Sequence, residues 1–480
     1  MLVARELSSS AFEVVDEERF DARLGEGQAG GDITPEGMER GLRALRIITE
    51  IARSHSPDVI RAVGTEALRR APNATAFIQA AQSENGVQVR VLTAEEEAHA
   101  GFLGVINSTR MQEGHLLDIG GGSVELMRVE GRALMRTQSI PLGAIYATER
   151  YFRNDPPSSR DQRSLRKAVR QQIDATQADP VLFGTGGAVR NLARLARVRR
   201  RYPLRRLHGF VLERRELQRI VSLITKAPQE QRRNMPGLSA NRADILPAAA
   251  IVIDEVMELT GAATLTVAGQ GLREGLVWQE LRPDGAVITN VRSASVAGLG
   301  KANGIDELSA EPVVSAAAQL FETTKKLHGL EPSDLELLLS AARLAGVGMH
   351  IDYYNRDRHA EYLVHSGDLR GFDHREIILL AALVRWADSG TPDLSLYKSI
   401  VRSDDTRRTA VLTALLGVAR AIHRRSPSPV MKIGVRTTGS AVKLSLTGSD
   451  RLDAEAYELE RQQKRFESVF KTSLVISVGV

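Results

Sequence analysis

The chain has 480 residues, too many for one hydrophobic core, and its length points to three or four domains. With 42% apolar and 26% charged residues and a net charge of +5, it has an ordinary globular balance with a mild lean toward polyanionic partners. The absence of cysteine excludes disulfides, thiolate zinc sites and a cysteine nucleophile. No apolar run is long enough for a membrane helix and "MLVARELSSSAFEVVDEERF" has no signal-peptide core, so a cytoplasmic location is expected.

The opening "MLVARELSSSAFEVVDEERFDARLGEG" reads as a strand, a serine turn and a second strand. "TPEGMERGLRALRIITEIARS" is an amphipathic helix, with Thr34 as N-cap and Pro35 in the first turn. "VIRAVGTEALRRAPN" is a short strand that breaks at Gly64 and opens a helix. "VQVRVLTAEEEAHAGFLGVI" repeats strand, loop and helix, and the alternation predicts an α/β domain. "LLDIGGGSVELMRV" begins a second α/β region containing "VLFGTGGAVRNLARLARV" and "LTVAGQGLREGLVWQEL", each an apolar strand, a glycine-rich turn and a helix. The Gly/Ser/Asn-rich stretch "RPDGAVITNVRSASVAGLGKANGID" reads as a linker. Helical periodicity follows, and the alternating segments "VMKIGVRTTGSAVKLSLTGSD" and "SLVISV" flank a charged helix, which predicts a small α+β tail domain.

The chemistry concentrates in glycine loops. After "DIGGG" the chain alternates as a strand, so the three glycines are expected to turn a β-hairpin whose amides converge on an anion. Neither the Lys-Ser/Thr pair of a Walker loop nor the third helical glycine of a dinucleotide fingerprint is present. Asp118 stands where it can hold a divalent cation, Ser123 offers a hydroxyl to phosphate, and Glu125 falls in phase with Ser123. "GTEALRR" places Arg69 early in a helix, where a guanidinium can fork onto phosphate oxygens. Glu95, Glu96 and Glu97 open another helix; dipole complementarity explains such a run, and a general base is the functional reading. Gly184, Thr185, Gly186 and Gly187 supply a further phosphate-shaped turn onto a helix N-terminus.

With these loops in order, the sequence resembles the exopolyphosphatase/guanosine pentaphosphate phosphohydrolase family of the actin, hexokinase and chaperone ATPase superfamily. The resemblance rests on "RLGEG", "VGTEALRRAPNATAFI", "LTAEEEAHAGFLGV", "LLDIGGGSVELMRV", "SIPLGAIYATERYF", "FGTGGAVRNLARLA", "MPGLSANRADILPAAAIVIDEVM" and "GQGLREGLVW", and "LVHSGDLRGFDHREIILLAALVRW" extends it toward the C-terminus. It implies an α/β fold: two actin-like, ribonuclease-H-like lobes (1–108 and 109–282), an all-helical HD-like domain (283–400) and a C-terminal α+β domain (401–480). It also implies Mg²⁺-dependent hydrolysis of the terminal phosphoanhydride of inorganic polyphosphate, or of the 5′-phosphate of guanosine pentaphosphate, by a homodimer. By residue, the catalytic glutamate falls on Glu97 with Glu96 beside it. Phosphate binding falls on Arg69, Gly120, Gly121, Gly122, Ser123 and Gly184–Gly187, and the metal on Asp118 and Glu125.

Two departures accompany the likeness. The family's first phosphate loop, of the type Asp-x-Gly-Ser-Asn-Ser, belongs just before "MLVARE", and "SSSAFE" is no substitute. A start read too late, a truncation or a loss of hydrolysis would each explain this. Loss would leave a non-catalytic binder of polyphosphate or guanosine tetra- and pentaphosphate, and a truncation would leave the first lobe's sheet a strand short. In the helical region, Ala345 and Gly346 stand where relatives carry a His-Asp metal pair and Pro312 lies near the usual leading histidine. His350, His359 and His365 are therefore expected to be surface or packing residues, and no metal is expected there. The basic run of Arg199, Arg200, Arg201, Arg205 and Arg206 suits a solvated face or a polyanionic chain leaving the cleft. Aromatic residues are too sparse beside it to favour nucleic acid.

Overall fold

The computed structural model describes residues 1–28, 31–174 and 178–479. They fall into two compact units, residues 1–9 with 14–289 and residues 10–13 with 290–480.

β1 (Leu2–Ser8) and β2 (Ala11–Glu17) form a two-stranded hairpin. Helix α1 (Pro35–Ser54) starts as its sequence dictates: the Thr34 hydroxyl accepts from the Gly37 amide and proline occupies the first turn. Its inner face carries Gly41 because a Cβ there would lie 2.5 Å from Leu24 and 2.8 Å from Phe77. A second two-stranded sheet pairs β3 (Ala62–Gly64) in parallel with β4 (Val89–Val91). The connection holds α2 (Glu66–Arg70) and α3 (Ala74–Asn85), and α4 (Ala94–Ile106) follows β4.

The rest of the first unit is built on a six-stranded sheet of order β7-β6-β5-β8-β10-β9. Its strands are β5 (Gly114–Ile119), β6 (Val124–Glu130), β7 (Ala133–Ile140), β8 (Val181–Thr185), β9 (Val211–Glu213) and β10 (Thr264–Val267). Helices α5 (Ala144–Tyr151) and α6 (Ser159–Gln172) follow β7, and α7 (Gly187–Arg199) follows β8. Next come α8 (Arg214–Lys226), α9 (Gln229–Arg233), α10 (Leu246–Leu259) and α11 (Leu272–Leu281). Buried apolar residues from α5, α6, α7, α8 and α10 cover the sheet in one continuous core. β5, β8 and β10 run parallel, so their C-terminal ends share one edge. From β5 the chain passes to β6 on one side, and β8 lies on the other. That switch point is where open α/β sheets hold their ligands, and both glycine loops emerge there.

The second unit is helical, with α12 (Val291–Ala302), α13 (Glu307–His328), α14 (Pro332–Leu344), α15 (Arg356–Ser366), α16 (His374–Trp386) and α17 (Asp405–Ile422). A three-stranded sheet of β11 (Val430–Thr437), β12 (Ala441–Gly448) and β13 (Ser473–Gly479) closes the chain, with α18 (Asp453–Phe470) before its last strand. The expected linker is corrected here. "VRSASVAGLGKA" forms α12, with the Asn290 side chain capping the Ser293 amide. Its small residues serve close packing: Ser295, Gly298 and Gly300 are buried, and buried Arg292 pairs with Glu336 and Glu376. Composition alone reads such residues as punctuation. His365 bonds the Tyr397 hydroxyl at 3.2 Å, and His350 is exposed.

Candidate active site

Asp118 is the penultimate residue of the apolar strand β5, and Glu125 sits directly opposite it on β6. Register continues the row outward, with Ser139 beside Glu125 and Thr185 beside Asp118. Side chains in one row of a sheet share a face, so two carboxylates stand side by side. The Ser139 hydroxyl donates to Glu125 at 3.1 Å, and the Ser123 hydroxyl also faces that carboxylate. Burial and the neighbouring Asp118 push the Glu125 carboxyl up to about 8; burial raises Asp118 to about 6, with Arg190 opposing the rise.

The loop between these acids is a tight turn closed by the Gly120 amide on the Ser123 carbonyl at 3.0 Å. Its carbonyls are consumed from behind. Gly120, Gly121 and Gly122 accept from the amides of Ala144, Ile145 and Gly143, at 2.9, 2.8 and 3.0 Å. This leaves the Gly121 and Gly122 amides with no acceptor among the described residues, the inventory an oxyanion needs. Gly143 permits the approach, since a Cβ there would come 2.5 Å from the backbone of Gly121 and Gly122. The second loop adjoins it: Gly186 has φ +99°, and a Cβ would meet the Ile119 carbonyl at 2.5 Å and Asp118 Oδ1 at 3.2 Å. Thr185 is engaged elsewhere, donating to the Gln270 carbonyl at 3.1 Å, and Gly184 packs against Leu265 and Val189.

The acidic run resolves by helix rotation of about 100° per residue. Glu96 closes a capping box with Thr93 and pairs with Arg90 at 2.8 Å, so it is not brought to the two carboxylates. Glu95 is exposed. Glu97 turns inward, one helical turn before Gly101, whose Cβ would sit 3.3 Å from Asp118 Oδ2. Burial raises the Glu97 carboxyl, and Arg69 opposes the rise.

Arg69 does not project a free fork. Its guanidinium bridges Glu97 Oε2 at 3.0 Å, Glu66 Oε2 at 2.9 Å and the Leu92 carbonyl at 2.8 Å. It thereby fixes the inward glutamate. Sequence reasoning missed Glu66, Arg190 and Glu274. Glu66 reaches the loop, where a Cβ on Gly122 would touch its side chain at 2.7 Å. The only available signal was its place inside "GTEALR". Glu274 caps the Gly271 amide at 2.8 Å and, with Arg190, completes the field around Asp118.

The family model of the Ppx/GppA phosphatase family matches residues 2–283, and that of Ppx/GppA phosphatase domain III matches residues 291–463. The Aquifex aeolicus member of the Ppx/GppA family is 25% identical in sequence, with a TM-score of 0.51 over 59% of this chain and 94% of that one. An exopolyphosphatase from Cytophaga hutchinsonii is similar in fold, with a TM-score of 0.56 at 24% identity, covering 59% of this chain and 94% of its own. No described helix is long and apolar enough to cross a membrane. The glycine hairpin, the acids around it and the match across both halves lead to one statement: this chain belongs to the Ppx/GppA phosphatase family.

Proposed function

We propose that the chain is a phosphoanhydride hydrolase of the exopolyphosphatase type, removing the terminal phosphate of inorganic polyphosphate with Mg²⁺. The observation that carries this reading is the juxtaposition of two raised carboxylates, Asp118 and Glu125, with the inward Glu97 and the Gly121 and Gly122 amides, which are unpaired among the described residues.

The donor set fits a hard divalent cation. Two acids forced together by strand register repel one another, and a divalent cation held by them would relieve that cost. Among the described residues no third His, Asp or Glu completes a protein cage. Such a site leaves room for water and phosphate oxygens, as Mg²⁺ prefers. Asp118 and Glu125 would hold the ion, which supplies charge neutralisation at the phosphate. The Gly121 and Gly122 amides bind the terminal phosphate's oxygens. Glu97 takes a proton from the attacking water, and Arg69, anchored by Glu66 and the Leu92 carbonyl, fixes its direction. Phosphoryl transfer needs little beyond such positioning and charge compensation.

Phosphate release from polyphosphate in Mg²⁺, compared between the wild type and Glu97→Gln, tests the reading. Loss of turnover in a folded variant supports it, and normal turnover sinks the role of Glu97. Faster release from guanosine pentaphosphate than from polyphosphate would move the substrate to the nucleotide.

A further inference from the structure

Helix α7 leaves the glycine-loop edge of the sheet and carries Arg190, Arg194 and Arg197 at i, i+4 and i+7, a single helical face. All three are half-buried. Arg242, on the turn Ala240–Arg242 ahead of α10, lays its guanidinium on the start of the same helix. A Cβ on Gly187 would lie 2.6 Å from its Nη1. The intervening chain is seated on this face as well. Ser239 accepts from Arg194 at 3.1 Å, and a Cβ on Gly237 would fall 2.8 Å from the Arg194 carbonyl.

What distinguishes these arginines is that, among the described residues, none makes an ion pair at contact distance. Around them Arg23 pairs with Asp244, Arg40 with Glu26, Arg69 with Glu66 and Glu97, and Arg273 with Glu17. Among the described residues no carboxylate lies within ion-pair distance of Arg190, Arg194 or Arg242, and Arg190 Nε is buried without a partner. Burial and the charge of Arg19 act against Arg190 and Arg242, and Arg23 and Arg194 add to this at Arg242; Asp118 and Glu274 oppose it at Arg190, and Asp21 at Arg242, all from beyond contact distance. Such a cluster is only partly offset in the free protein, and an anion that touches several guanidinium groups would complete the compensation. Its near end adjoins the loop of Gly186 and Gly187, and Arg194 lies about 6 Å further along the helix axis than Arg190.

We infer that Arg242, Arg190 and Arg194 form the subsite for the phosphates that follow the one being cleaved, so that the enzyme selects a linear polyphosphate by chain length. This rests on the reading proposed above and adds the residues that discriminate between substrates.

Arg194→Gln, Arg242→Gln and the double variant test it, with initial rates on tripolyphosphate and on longer chains at several salt concentrations. The loss in kcat/KM is expected to grow with chain length, reaching about tenfold per arginine on long chains and entering through KM. The slope of log kcat/KM against log salt should fall by about one per arginine. Because repulsion is relieved, Tm should hold or rise, which separates a subsite from a structural role. A loss equal at every length, or none on long chains, overturns the subsite while the hydrolase reading stands. A wild-type protein that neither hydrolyses nor binds polyphosphate overturns both.

Discussion

Asp118 and Glu125 stand directly opposite each other across the β5–β6 hairpin, and burial raises both carboxyls, to about 6 and about 8. Their repulsion is built into strand register, so neither can turn away without breaking the hairpin that shapes the phosphate loop.

In the metal-free protein both acids titrate above their unfolded values near 4. The folded state therefore holds more protons, and the stability tied to them is complete below about pH 4. It is lost as pH climbs through about 6 and then about 8. The unfolding free energy measured with chelator is expected to fall across this window, by roughly a few kcal/mol, and Mg²⁺ should restore it. Glu125→Gln should remove most of the fall and most of the Mg²⁺ response. A flat metal-free profile would refute the coupling.

Glu97→Gln should lower kcat by about 10² to 10⁴ at nearly constant KM, with Tm little changed. Arg69→Gln should act through Glu97. With its cationic partner gone, the buried carboxyl rises further, and the acid limb of the pH–rate profile moves to higher pH. An unmoved acid limb would show that Arg69 serves only the fold.

Gly143→Ala and Gly186→Ala each place a Cβ about 2.5 Å from backbone atoms of the first loop or of the strand leading into it. Both should cost roughly 1–3 kcal/mol and a larger share of turnover, Gly186→Ala additionally through its φ of +99°. Gly439→Ala, with nothing within 4 Å, is the control and should change neither. Thermal melts and phosphate release read both effects.

In the helical unit Asp405 is fully buried. It accepts from the Arg402 amide at 2.6 Å and from Arg375 Nε at 2.8 Å. Asp405→Ala leaves Arg375 without this partner and should cost about 3–5 kcal/mol in denaturant unfolding.

Much of the site was legible because local chemistry dictates it. Three glycines after an apolar strand demand a turn, and alternation beyond them demands a strand, which together place Asp118 opposite Glu125. The acidic run was not separable by type. The resemblance put the catalytic role on Glu97, and rotation about α4 assigns Glu96 to the cap and Glu97 to the interior. Arg69 was expected to reach phosphate and instead holds two carboxylates, because its partners come from α4 and from its own short helix. Glu66, Glu274 and Arg242 carry no motif of their own. The linker reading failed at α12 because small residues signal either a loop or close packing, and sequence does not say which neighbour approaches.

The sequence by itself determined the glycine loops, their strands and the acids that flank them, since turn geometry and alternation act within a few residues. Tertiary structure decided which acid faces inward and, among the described residues, which arginines are left without a contact ion pair and which amides remain open to an anion. Those properties depend on what burial removes from water, and that is settled only when distant segments pack.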